Sequence, residues 1–144
     1  MNKVFWPLLL SFYMSSCTPT YVADADFLEH EEIVSLISGN TLTGTIVRGN
    51  FQGSFDMFMM ENGKLSSRNH NGKGFGKWQV FEITLIDMVG GKLCFWQSQV
   101  KYGTRICRLL GQVDDGYLMI VPANRFVTSR FRVLPGNARN LEIP

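Results

Sequence analysis

Read as a pattern of apolar and polar positions, the chain falls into three regimes. Near the N-terminus the apolar run is almost unbroken, from Val4 to Leu10 and again at Phe12-Tyr13-Met14. From Phe27 to Ile37 the apolar residues Phe27, Leu28, Ile33, Val34, Leu36 and Ile37 recur at spacings near 3.6, with Glu29, Glu31 and Glu32 between them. That spacing predicts a short amphipathic helix. Asp26 is placed to cap its start, acids in the first turn suit the helix dipole, and Gly39-Asn40 is placed to end it. The pattern would suit a partner-binding helix, but a helix docked across one end of a sheet accounts for it more simply.

From Thr41 onward the period becomes that of strands. Thr41 to Val47 is rich in β-branched residues. After a turn at Gly49-Asn50, Ser54 to Met60 sets Phe55, Met57 and Met59 on one face and Asp56, Phe58 and Met60 on the other. Asn62-Gly63 is a two-residue hairpin signal, and Lys64 to Asn69 is expected to return as a polar edge strand. The glycine-rich stretch Asn69 to Lys77 is expected to be a flexible connection. Trp78 to Ile86 is a long strand, turned at Gly90-Gly91 into Leu93 to Ser98. Thr104 to Val113, a turn at Asp115-Gly116, Tyr117 to Val121 and Phe126 to Leu134 follow. Phe131 and Val133 share one face of the last strand, and Arg130 and Arg132 the other. Turns at this short, regular spacing predict a mainly β domain: a small antiparallel sheet or barrel of about eight strands, with one short N-terminal helix.

The first regime reads as a targeting segment. Lys3 and the terminal amine precede an apolar run too short to span a bilayer comfortably, and small residues follow. Met14-Ser15-Ser16-Cys17 resembles the lipobox of bacterial lipoproteins, in which the cysteine becomes the first mature residue and carries lipid. The resemblance implies a signal peptide at 1–17, a tether at 18–25 and a single domain at 26–144. Thr18 after the cysteine implies the periplasmic side of the outer membrane. Ordinary cleavage after Ala23-Asp24-Ala25, giving a soluble periplasmic or secreted protein, is the alternative.

Export changes the reading of the cysteines. With Cys17 lipidated, Cys94 and Cys107 are the remaining pair, and an oxidising compartment makes a disulfide the expectation. If their strands form a hairpin, a single register sets Cys94 opposite Cys107 and Trp96 opposite Arg105. A redox pair would more usually show Cys-x-x-Cys. Zinc would need about four ligands, and only His30 and His70 remain, at no recognisable spacing.

Composition narrows the function classes. Apolar residues make up 45% of the 144, enough for a core, and eleven Phe favour strands. A net charge of +2 is too small to argue for nucleic acid. Charge is uneven, however. Tyr21 to Val47 is acidic, whereas Lys101, Arg105, Arg108, Arg125, Arg130, Arg132 and Arg139 make the C-terminal part basic. These are either ordinary solvated strand faces or a surface for anionic lipid or an envelope polymer. Methionine-rich Phe55 to Met60 suits an apolar ligand or copper, but a sheet interior explains it better. Asn71 to Trp78 lacks the glycine and hydroxyl positions of a phosphate-binding loop. No nucleophile elbow or His-Glu-x-x-His is present, so an enzyme is not expected, and neither a cofactor nor a metal.

The order Leu36 to Gly44, Gly76-Lys77-Trp78, Leu93-Cys94-Phe95-Trp96, Cys107, Asp115-Gly116-Tyr117 and Val133 to Gly136 resembles a family of small exported bacterial proteins of unknown function. This chain departs from that pattern by a long Phe81 to Val89 extension. The architecture alone is also similar to lipocalin- and avidin-like barrels and to small periplasmic β-barrel inhibitors. The expectation is a non-catalytic envelope lipoprotein whose disulfide-stapled β-domain binds a partner or ligand, with an inhibitor of a protease or other hydrolase as the alternative. Its membrane partner is reached through the lipid anchor, and an envelope protein or polymer is a further candidate. Trp78, Trp96, Tyr102 and Tyr117 are expected around the disulfide hairpin, with Trp78 in the core. Trp96, Tyr102 and Arg105 are the expected exposed binding surface, since interfaces favour Trp, Tyr and Arg.

The lipobox reading makes a direct prediction. Mass spectrometry of protein extracted from membranes should find an N-terminal lipidated Cys17, and a soluble chain starting at Asp26 would refute it.

Overall fold

The computed structural model describes residues 25–48, 51–98 and 105–144. Cys17, Tyr102, the 1–17 segment, the 18–25 tether up to position 24 and the Gly49-Asn50 turn lie outside the described residues. The elements are β1 (Asp26–Phe27), α1 (His30–Ile37), β2 (Asn40–Arg48), β3 (Phe51–Met59), β4 (Lys64–Asn69), β5 (Gly72–Leu85), β6 (Met88–Gln97), β7 (Ile106–Val113), β8 (Gly116–Ile120) and β9 (Val127–Leu134).

Each strand from β2 to β9 pairs antiparallel with the next, and β9 pairs back onto β2 from Thr41↔Leu134 to Ile46↔Ser129. The result, among the described residues, is a closed eight-stranded antiparallel barrel, with β1 as one extra strand and a single short helix. Alternation sends one set of side chains inward. Leu42, Met57, Met59, Leu65, Leu93, Leu110 and Phe131 form the core, all buried. Residues on the outward face, such as Thr45, Lys77, Arg130 and Arg132, are exposed.

The chain segment before β2 closes one end. Pairing of β6 with β7 runs only from Phe95↔Ile106 to Lys92↔Leu109. Beyond it the two strands separate and the N-terminal segment fills the gap. Asp26 and Phe27 pair with Gln112 and Gly111, the Leu28 N–H donates to Leu110 O, and Leu28 O accepts from the Gly91 N–H at 3.0 Å. The helix α1 then sets Ile33 and Ile37, both fully buried, onto the end of the core.

Four expectations are corrected. Asp26 does not cap the helix; it lies in β1, and the helix starts after Glu29, whose N–H donates to the Glu32 carboxylate at 2.8 Å. The polar β4 is not an edge, because closure places it between β3 and β5 with Ser66 and Ser67 buried. The glycine-rich stretch is strand from Gly72 onward. Gly76 stands where a Cβ would meet Trp96 O at 1.6 Å, so it serves a close approach of strands, not a loop. Gly90 and Gly91 likewise lie within β6, and the turn is at Ile86-Asp87. A Cβ on Gly91 would meet Ile33 Cδ1 at 2.6 Å and His30 N at 2.9 Å, so the glycine makes room for the start of α1.

The long β5–β6 hairpin folds over the outer wall. Ile83, Leu85 and Met88 pack with Phe27 on the outward residues Leu109, Leu118, Ile120 and Val127. Arg125, in the β8–β9 connection, bonds Asp87 at 2.7 Å and lies 5.0 Å from the Phe27 ring centre. The Phe81 to Val89 extension thus covers an apolar patch that β7 and β8 would otherwise expose. The tail after β9 is tied to the opposite wall. Thr41 Oγ1 donates to Gly136 O and accepts from the Ala138 N–H, Leu141 is buried, and Arg139 approaches Asp56.

The disulfide joins Cys94 and Cys107, which stand directly opposite each other on β6 and β7. Both face outward, since their neighbours Leu93 and Phe95 belong to the interior.

Two stability predictions follow from this architecture. Gly91→Ala should cost about 1–3 kcal/mol by forcing α1 away from β6, read as a lower urea midpoint. A midpoint equal to the parent's would show that the helix start yields freely. Cys94→Ala with Cys107→Ala should cost about 3 kcal/mol in the chain-entropy view of a loop this short. Non-reducing peptide maps of the parent should show the two cysteine peptides joined.

Candidate functional site

The inward alternation produces a cavity of about 340 Å³ in the barrel, at the end opposite α1. Its apolar lining comes from Ile46 on β2, Phe55 and Met57 on β3, Phe95 on β6, Ile106 on β7 and Met119 on β8. Its polar lining includes Ser67, Arg68, Asn69, His70, Asn71, Gln97, Arg108, Thr128 and Ser129. The volume falls in the range of small-molecule sites, which are mostly apolar with a few convergent polar groups. Beneath it Leu42, Leu65, Leu93 and Leu110 are packed solid with no exposure, so the cavity ends on core.

The polar groups are held in place. Gln97 is buried, and its Nε2 donates to Met57 Sδ at 2.8 Å. Ser67 Oγ donates to Gly74 O at 3.3 Å. Arg108 points inward between Ile106 and Leu110. Its Nε donates to Thr128 Oγ1 at 3.1 Å and its Nη1 to Cys107 O at 2.7 Å. Thr128 Oγ1 in turn donates to Met119 O at 3.3 Å. Asp56 also borders the cavity, but its carboxylate is engaged by Thr43 Oγ1 at 2.7 Å, Arg68 at 2.9 Å and Arg139 at 3.6 Å.

The residues expected as a binding surface are placed on the outer wall. Trp96 is half-buried and Arg105 exposed, with the guanidinium carbon 6.0 Å from the Trp96 ring centre and 5.9 Å from that of Phe81. Such contacts lie at the reach of a cation–π attraction. Trp96 also borders a groove with Phe75, Lys77 and Gln79. Tyr102 lies outside the described residues. Trp78 and Tyr117 do not join this group. Trp78 packs against the core with its Nε1 donating to Met60 O at 2.9 Å, and Tyr117 stacks on Phe131 inside the barrel, centroids 5.5 Å apart. Alternation explains the separation: both occupy inward positions, whereas Trp96 is outward.

Lys101 lies outside the described residues, and among the described residues the C-terminal basic side chains do not form one patch. Arg108 is in the cavity, Arg125 is tied to Asp87, Arg139 to Asp56, and Arg105 lies against Trp96 and Phe81. Arg130 and Arg132 share the exposed face of β9. His30 bonds Glu31 at 3.1 Å at the start of α1, and His70 is at the cavity rim, so the two histidines are at opposite ends of the barrel. Among the described residues no three His, Cys, Asp or Glu side chains are grouped to hold a metal ion.

Sequence reasoning missed the cavity and the place of Arg108, Gln97 and Ser129 in it. The one available signal was that Arg108 shares its strand face with Ile106 and Leu110. Comparison of the chain with family models, with curated proteins and with solved structures found no match.

Proposed function

We propose that the protein is a non-catalytic binding protein of the cell envelope that holds a small molecule inside the barrel, at the end away from α1. The observation that carries this reading is the cavity itself, a chamber with an apolar wall of six side chains and polar side chains around it, closed below by packed leucines. An interior with no ligand role would be filled by side chains, as small barrels generally are. The lower half of this barrel is filled in that way and the upper half is not. Methionine at positions 57 and 119 suits the role, since its unbranched, polarisable side chain adapts to varied apolar shapes. The proposed export and Cys17 anchor would tether this chamber to the periplasmic face of the outer membrane. The disulfide supports the exported reading, since such bonds persist in oxidising compartments.

A second reading, inhibition of a protease or other hydrolase through the outer wall, is favoured by Trp96 and Arg105 beside the Phe75 groove. The two readings separate in one experiment. A neutral apolar fluorophore such as N-phenyl-1-naphthylamine should bind one to one with blue-shifted emission. Ser129→Phe, which fills the cavity, should weaken it at least about tenfold, a loss of about 1.4 kcal/mol, while Trp96→Ala leaves it unchanged. The reverse pattern would move the site to the outer wall.

A further inference from the structure

We propose that the outer wall over β4 to β7 docks an acidic polysaccharide, a glycan chain that carries carboxylates. Trp96 lies under a sugar ring, and Lys64, Lys77 and Arg105 meet the acid groups. This surface is separate from the barrel cavity, and the proposal stands whether or not the cavity takes a ligand.

Strand register lines these side chains up. Lys64 on β4 pairs with Lys77 on β5, and Lys77 pairs with Trp96 on β6. Paired residues share a face of the sheet. Leu65 and Phe95, the strand neighbours of Lys64 and Trp96, belong to the core, so the row points outward. Arg105, just before β7, completes it, with its guanidinium carbon 6.0 Å from the Trp96 ring centre. The row crosses the wall in steps of about 4.8 Å, the spacing of neighbouring strands. Lys92, opposite Phe81 on the same face, adds a further cation.

Stability alone disfavours this row. Like charges directly opposite each other on a sheet are destabilising, and Lys64 and Lys77 stand so, both exposed. Among the described residues no carboxylate lies within ion-pairing distance of Lys64, Lys77, Lys92 or Arg105. The stretches Lys64 to Asn69, Gly72 to Phe81, Lys92 to Ser98 and Arg105 to Val113 contain no Asp or Glu. The potential over this wall is therefore positive, and a partner complementary to it is anionic.

The form of the wall selects among anionic partners. β4, β5 and β6 are each paired on both sides, so an acidic peptide finds no free edge to join as a further strand. Recognition must pass through side chains. Asn62 and Gln79 line the same groove as Trp96, a space of about 780 Å³. Asn62 Oδ1 accepts from the Lys64 N–H at 3.1 Å, which leaves its amide N–H groups to donate outward. A flat indole beside free amides suits a sugar, whose ring has a C–H face to stack and an edge of hydroxyls to bond. A bilayer calls for protruding apolar side chains, whereas Trp96 is half-buried in a groove.

The test is a calorimetric series on the purified protein at low ionic strength. Oligomers of polygalacturonate, alginate and hyaluronate are each compared with their carboxyl-reduced, neutral forms. At least one acidic glycan should bind about tenfold or more tightly than its neutral form, and added salt should shrink that advantage. Lys64→Gln with Lys77→Gln should remove the advantage while the urea midpoint stays at the parent's value or rises, since their repulsion is relieved. Trp96→Ala should weaken acidic and neutral forms alike. Arg130→Gln with Arg132→Gln, on β9 and outside this wall, should change neither. If no acidic glycan outbinds its neutral form, or if the β9 pair costs as much as the Lys64 and Lys77 pair, the proposal is overturned. Tighter binding of poly-aspartate or of phosphatidylglycerol vesicles than of every acidic glycan would give the row to a peptide or a membrane, and the glycan would be rejected.

Discussion

The pairing of β2 with β9 joins the first and last strands of the meander, and the inside of the molecule exists only because of it. Thr41↔Leu134 and Ile46↔Ser129 bring together residues from opposite ends of the described chain. Closure pairs the first and last strands of the meander with each other and makes one face of each barrel strand interior. It also explains the hydrogen bonds gathered at the junction. Asn40 Oδ1 accepts from the Gly136 N–H at 3.2 Å, and Thr41 Oγ1 holds both Gly136 and Ala138, so the chain leaving β9 is pinned to the start of β2. A buried threonine at this place is satisfied on both its donor and acceptor sides.

A closed barrel still has two ends and, here, one seam. The seam is where β6 and β7 part, and Leu28 bridges it by bonding Gly91 on one side and Leu110 on the other. This explains why two consecutive glycines sit in a strand. A side chain at either position would meet the segment or a packed side chain within 3 Å. The same separation of strands lets the β5–β6 hairpin lean outward and shield Leu118 and Ile120, which gives β8 two buried faces. Helix, hairpin and N-terminal strand are thus three responses to one local departure from regular pairing.

At the other end the packing differs. Leu65, Leu93 and Leu110 fill the barrel at mid-height, while Ser67, Gln97 and Ser129 are small or polar where a larger apolar residue would fill the space. The polar groups are fixed by bonds to sulfur and to backbone or hydroxyl oxygens, so the cavity has a defined chemistry before any ligand arrives. On the outer wall the disulfide lies back to back with this region. It ties β6 to β7 at the level of Phe95 and Ile106, both of which line the cavity.

Much of this was legible in the sequence because it is local. Alternation marked Phe55, Met57 and Met59 as one face and separated Phe131 from Arg130 and Arg132. Asn62-Gly63 and Asp115-Gly116 marked turns through their backbone preferences, and the hairpin register set Cys94 against Cys107. The spacing of apolar residues found the helix but not its first residue, since Phe27 serves a strand. The glycines at 76, 90 and 91 were misread because a turn and a close approach of backbones ask for the same residue. Only the tertiary structure showed which it was. Arg108 was the least legible residue of all. Its strand has apolar side chains on both faces, Ile106 and Leu110 on one, Cys107 and Leu109 on the other, and a charged residue argues that its own face is the outer one. Period-two alternation divides a strand into two faces without saying which is inside. That choice was made by closure of the barrel and by the hairpin that covers Leu109, and it is what turns Arg108 toward the cavity.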